Sequence, residues 1–182
     1  MRTYYFFTIP FVVSFFSLLA GCGYGNNNQN KHITGEQIIY SEDSLFSITI
    51  PKTWVQVTDY SLNDAAELQA EKPLSSQYIV VLIENKEDLD YTFDEWIKTV
   101  SDKFFDTFDD SSLSDGEDIL IDHQPAKQFE ANLLHKRVKL TLLATYVDGE
   151  NHFAQILAWT LASKYKSSVE DLKAITNTIK GL

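Results

Sequence analysis

One side chain in this chain of 182 residues stands in a setting made for covalent chemistry: Cys22, the single cysteine. It closes the run Leu19-Ala20-Gly21-Cys22, where an apolar stretch from Tyr4 to Ala20 meets a polar one. A thiolate is a potent nucleophile, and a lone cysteine in an exported chain has no partner for an internal disulfide. Other chemistries find no comparable setting. No G-x-S-x-G elbow presents a serine, and there is neither a Gly-rich phosphate loop nor an H-E-x-x-H pair. The histidines His32, His123, His135 and His152 are scattered. His123 and His152 fall at hairpin ends and could meet around zinc, but water-exposed turn histidines are the simpler reading. Two acidic groups offer hard oxygen ligands to calcium or manganese: Glu84, Glu87, Asp88 and Asp90, then Asp109, Asp110, Asp115, Glu117 and Asp118. Neither has the EF-hand spacing, because counting back from Gly116 puts Ser111 and Leu113 where acids are required. The expectation is no catalytic residue, no metal site and no cofactor. Small-ligand or metal-ion binding is the alternative, and an enzyme built from residues distant in sequence ranks last.

The residues before Cys22 read as an address. A secretory signal has a cationic start, an apolar middle and small residues at the cut. Arg2 is the only charge before Cys22, and Ala20 and Gly21 are the small residues. A membrane-spanning helix needs roughly 20 apolar residues; this run is shorter and carries Pro10, which disfavours a helix interior. Leu19-Ala20-Gly21-Cys22 resembles the lipobox of bacterial lipoproteins. The resemblance implies a diacylglyceryl thioether on the Cys22 sulfur, cleavage between Gly21 and Cys22, and Cys22 as the new N-terminus. Residues 1–21 are then a lipoprotein signal peptide and 22–35 a tether, where Gly23-Tyr24-Gly25-Asn26-Asn27-Asn28-Gln29-Asn30 is too polar to fix a structure. Residues 36–182 are one domain of ordinary size. The expected location is the extracytoplasmic face of a cell membrane, held by the lipid, with an envelope protein as partner.

Charge narrows the partners. The full chain carries −11, and losing a leader whose one charge is Arg2 takes it to −12. Phosphate polymers and anionic headgroups are repelled by such a surface. Nucleic acid is therefore excluded as a partner, and so is a polybasic second anchor.

The domain's elements follow from periodicity. Ile38-Ile39-Tyr40 and Phe46 to Ile50 predict two strands around the turn Ser41-Glu42-Asp43-Ser44, and Pro51 ends the second. Ala65 to Ala70 has a helix-favouring composition, yet it precedes Pro73 and Ser75-Ser76. With the apolar run Tyr78 to Ile83 it is read as a hairpin. Thr92 and Glu95 form a capping-box pattern ahead of Phe93, Trp96, Ile97, Val100, Phe104 and Phe108, a helical stripe facing the core. Asp109 to Glu117 reads as a surface loop. Ile119 to Leu134 predicts a hairpin turning at Asp122-His123-Gln124-Pro125. Val138 to Tyr146 and His152 to Leu161 predict a second, turning at Asp148-Gly149. Phe153, Leu157 and Trp159 lie on one face of the last strand and Ala154, Ile156 and Ala158 on the other, so both faces must be covered. Ser167-Ser168-Val169-Glu170 predicts a capped final helix with Val169, Leu172, Ile175 and Ile179 inward.

The expected class is α+β, a single antiparallel β-sheet flanked by helices. The order of Phe46-Ser47-Ile48-Thr49-Ile50-Pro51-Lys52-Thr53-Trp54, the helix Thr92 to Phe108, Asp122-His123-Gln124-Pro125-Ala126 and the strand Gln155 to Thr160 is similar to that of the PsbP-like family. That resemblance implies an α/β/α sandwich over 36–182 and a binding or assembly role without catalysis. It carries over no functional residue.

Overall fold

The computed structural model describes residues 35–182. Ten strands and two α-helices follow in the order β1 (Glu36–Tyr40), β2 (Ser47–Pro51), β3 (Val55–Gln56), β4 (Leu68–Lys72), β5 (Gln77–Asn85), α1 (Phe93–Phe105), β6 (Asp110–Leu113), β7 (Glu117–Ile121), β8 (Gln124–His135), β9 (Val138–Asp148), β10 (His152–Leu161) and α2 (Tyr165–Thr176), with a 3-10 turn at Lys86–Asp88. Eight strands form an antiparallel sheet in the order β3-β4-β5-β10-β9-β8, with β6 and β7 both paired to the outer side of β8. Strands β1 and β2 form a separate two-stranded sheet.

The expectation of a single sheet is corrected here. Ile39, Phe46, Ile48 and Ile50 share a core with Leu68, Ile79, Ala154, Ile156 and Leu172. The hairpin must therefore lie on a face of the large sheet, beside α2, instead of extending its edge. It is fastened there by side-chain and backbone bonds. Gln37 Nε2 donates to the Trp54 carbonyl at 2.8 Å, Gln56 Nε2 to the Tyr40 carbonyl at 3.4 Å, and Ser47 exchanges backbone bonds with Lys180. Beyond Lys180, Gly181 takes φ +96° and passes so close to the Leu45 carbonyl that no Cβ fits.

Strand β10 runs through the middle and serves both cores, as its two apolar faces require. Ala154, Ile156 and Ala158 face the hairpin and α2. Phe153, Leu157 and Trp159 face α1. The Thr92 capping box forms: Thr92 N–H donates to Glu95 Oε2 at 2.9 Å and Glu95 N–H to Thr92 Oγ1 at 3.4 Å. Trp96 and Ile97 are buried, while Phe93, Val100, Phe104 and Phe108 pack half-buried on the same core. The helix stops at Phe105 and Phe108 follows in a turn, its ring 5.0 Å from Phe104.

Two further expectations change. Within Asp109 to Glu117, Asp110–Leu113 is a strand, paired with Ala131–Leu134. All four of its residues are exposed, so no apolar alternation marks it; its backbone ladder does the work. Helix α2 begins at Tyr165, earlier than Ser167, and its N-cap Lys164 makes no side-chain cap. The hydroxyls of Ser167 and Ser168 instead donate back to the Lys164 carbonyl, at 2.8 and 3.0 Å. Ser168 also accepts from Gln77 Nε2 at 3.0 Å, tying α2 to β5.

Tyr146 on β9 carries a pH-dependent part of this stability. Burial pushes its phenol up to about 12, against a smaller opposing pull from donors on Gln155 and Ser101. The unfolded value is about 10. The folded state then holds the proton more tightly, so stability falls as pH rises through about 10 to 12. The loss is on the order of 2–3 kcal/mol by that linkage. Urea midpoints measured from pH 9 to 12 should fall along this course, and Tyr146→Phe should flatten part of the fall.

Candidate functional site

The residues singled out for covalent chemistry, Gly21 and Cys22, lie outside the described residues, as does His32. The others can be placed. His135 ends β8 and meets the Phe108 ring edge-on at 5.8 Å. His123 sits in the β7–β8 turn with φ 68°. His152 opens β10 at the same end of the sheet, with its ring edge-on to Phe46 at 5.2 Å and Nδ1 buried without a hydrogen-bond partner. Its setting is that of a packed core-edge residue. Near it, Lys86 Nζ reaches Asp148 Oδ1 and the Gly149 carbonyl, each at 2.5 Å, and lies 4.7 Å from the Phe153 ring centre. This lysine pins the β9–β10 turn to the end of β5.

Of the first acidic group, Glu84 pairs opposite Phe153 on β5, and Glu87 and Asp88 lie in the 3-10 turn capped by Asn85. The second group runs from Asp109, just before β6, along β6, β7 and the residues joining them. Among the described residues no three His, Cys, Asp or Glu side chains converge on a point that could hold a metal ion.

The structure does join part of the second group to residues the sequence did not connect with it. Strands β6 and β7 run in the same direction along β8, β7 against Gln124–Gln128 and β6 against Ala131–Leu134. They are one edge strand interrupted at Ser114-Asp115-Gly116. At the break Ser114 N–H donates to the Glu130 carbonyl at 2.8 Å, and Glu130 N–H donates to Ser114 Oγ at 2.9 Å, so a side chain completes the ladder. Gly116 then passes against the Phe129 ring, where a Cβ would collide. That ring is in turn edge-on to Tyr146 at 5.8 Å.

The interruption opens a cleft of about 300 Å³, lined by Ser114, Asp115, Glu117, Gln128, Phe129, Glu130 and Lys173. Gln128 is held from below by its bond to Thr145 Oγ1 at 2.9 Å. Burial, and then the nearby Glu130 carboxylate, hold the Tyr165 phenol well above its usual range, so it stays protonated. Three carboxylates, Asp115, Glu117 and Glu130, and one ammonium, Lys173, border it, so its lining carries net negative charge. It contains no paired nucleophile and base of the kind covalent catalysis uses. Asp115 and Glu117 were visible as acids in the sequence. Gln128, Glu130 and Lys173 were not, because they come from a different strand and from α2. The one local hint is Gly116 itself, inside the acidic run.

The architecture can be set beside solved structures. The solution structure of cyanobacterial PsbP (CyanoP) from Synechocystis sp. PCC 6803 superposes with a TM-score of 0.59, 15% identity, 89% of this chain and 98% of that one. The fold is PsbP-like. LpqN of Mycobacterium tuberculosis, described as involved in cell envelope biogenesis, matches with a TM-score of 0.59, 12% identity, 80% of this chain and 90% of its own. A Bacteroides thetaiotaomicron structure matches with a TM-score of 0.53 and 9% identity over 79% of this chain and 47% of that one. No protein-family model matches the sequence, and no curated protein does. In this PsbP-like domain the cleft lies at the outer edge of the large sheet, on β8, away from the β1–β2 hairpin's lacing to β3.

Proposed function

We propose that this chain is a lipid-anchored lipoprotein on the extracytoplasmic face of a bacterial cell membrane. Its PsbP-like domain binds or organises another component of the envelope and performs no catalysis. The observation that carries the reading is the union of Leu19-Ala20-Gly21-Cys22 and a polar tether with a PsbP-like domain built on two hydrophobic cores. In this reading 1–21 is removed, 22–35 holds the domain clear of the headgroups and 36–182 does the binding. The description of LpqN in cell envelope biogenesis supports an envelope role. Among the described residues no helix is long and apolar enough to cross a membrane. The experiment is to crosslink the tagged chain in intact cells and purify it from solubilised membranes. An envelope protein in constant ratio to the chain is expected. Recovery of the chain with no stable partner would overturn the reading.

A further inference from the structure

We infer that the interrupted β6–β7 edge is a docking site for a basic, extended protein segment, which adds a strand beside it and places a lysine or arginine in the cleft at the break. This deepens the proposed function and takes from it only that the partner is a protein.

Edge strands expose backbone donors and acceptors that an incoming strand can satisfy. The two ends of this sheet differ in that respect. At one end β3 is two residues long, and Gln56 ties it to β1. At the other, β6 and β7 pair with β8 alone, leaving their outer side without a strand partner among the described residues. Charge then selects the occupant. Asp109, Asp110, Asp115, Glu117 and Asp118 lie along this edge, and no Lys or Arg occurs between 109 and 118. A second copy of a chain carrying −11 would bring the same acids against them, and like charges across a strand pair destabilise it. A basic strand meets the complementary field.

The break sharpens the match. The cleft of about 300 Å³ has room for a long cationic side chain, and Asp115, Glu117 and Glu130 outnumber Lys173 around it. An arginine there could bond two carboxylate oxygens at once. On either side of the break Leu113 is 48% exposed and Leu120 69% exposed. Both point to the same face of the sheet, since Leu113 pairs with Ala131 and Leu120 with Pro125. They offer apolar footing to residues of the incoming strand that flank its cation.

The test uses the full chain in detergent and a fluorescein-labelled peptide alternating Arg and Val. Binding is read by anisotropy, and the bound segment by amide hydrogen exchange. The peptide should bind the wild type and protect amides within 110–121. Asp115→Asn/Glu117→Gln/Glu130→Gln should weaken it by about tenfold or more, as loss of close charge partners does. Glu84→Gln/Glu87→Gln/Asp88→Asn makes the same charge change elsewhere and should leave the affinity within about twofold, by the same reasoning. Unchanged circular dichroism and melting would show that both variants stay folded. Absence of binding, equal weakening in both variants, or protection outside β6–β7 would overturn the inference. In the membrane crosslinking experiment, an envelope partner captured undiminished by the cleft variant would sink the docking edge and leave the proposed function standing. Capture of no partner, beside specific peptide binding, would do the reverse.

Discussion

Trp96→Ala is expected to remove about 3–5 kcal/mol of stability, the usual range for deleting a buried tryptophan. Helix α1 buries only two residues fully into the fold, Trp96 and Ile97. Trp96 is 1% exposed. Its ring stacks on Phe153 at 4.9 Å and on Phe93 at 6.2 Å, and meets Tyr146 edge-on at 5.8 Å. The substitution would leave a void between helix and sheet, and the rest of the stripe is half-buried, so little can fill it. Domains of this size have about 5–15 kcal/mol in all. A loss of the expected size therefore moves the protein well toward unfolding at physiological temperature. Urea titration followed by far-UV circular dichroism measures it. A loss under about 1 kcal/mol, the level of an ordinary surface change, would mean that α1 is an appendage and that the core facing it is formed without it.

Cys22→Ser has the largest expected effect on location. A thiol becomes a nucleophile by losing a proton near pH 8.5, whereas a serine hydroxyl needs an adjacent base to activate it. The variant should take up no lipid and should not be cut between Gly21 and Cys22. Each buried CH₂ contributes about 0.8 kcal/mol, so a single chain holds marginally and two hold firmly. Losing all of them leaves only the uncut apolar leader to hold the domain at the membrane. Labelling with palmitate and an N-terminal sequence of the wild type read out both steps. Labelled palmitate on the serine variant, or a wild-type N-terminus upstream of Cys22, would remove the anchor from the proposed function.

The two predictions draw on different levels of information. Trp96 was legible as core because a helix brings residues three and four apart onto one side, and Phe93, Trp96, Ile97, Val100 and Phe104 obey that spacing. The two faces of β10 were legible for the same kind of reason, since a strand alternates. Both patterns are local, and both survive folding unchanged. The capped start expected at Ser167 failed because the helix begins earlier, at Tyr165, so the Ser167 and Ser168 hydroxyls lie inside its first turn and bond back to the Lys164 carbonyl, while Ser168 also takes a bond from Gln77, far away in sequence.

What the sequence by itself determined is the address ending at Cys22 as an expectation, the α+β order of elements and most inward-facing residues. These are properties of neighbours along the chain. Only the tertiary structure decided that β1–β2 covers a face instead of widening the sheet, that Asp110–Leu113 pairs as a strand, and that Ser114, Glu117, Glu130 and Lys173 border one cleft. The physical reason is common to all three. Backbone hydrogen bonds are the same for every side chain, so composition does not record which strand a segment pairs with. A cleft formed where such pairing breaks is assembled from residues whose only relation is through that ladder.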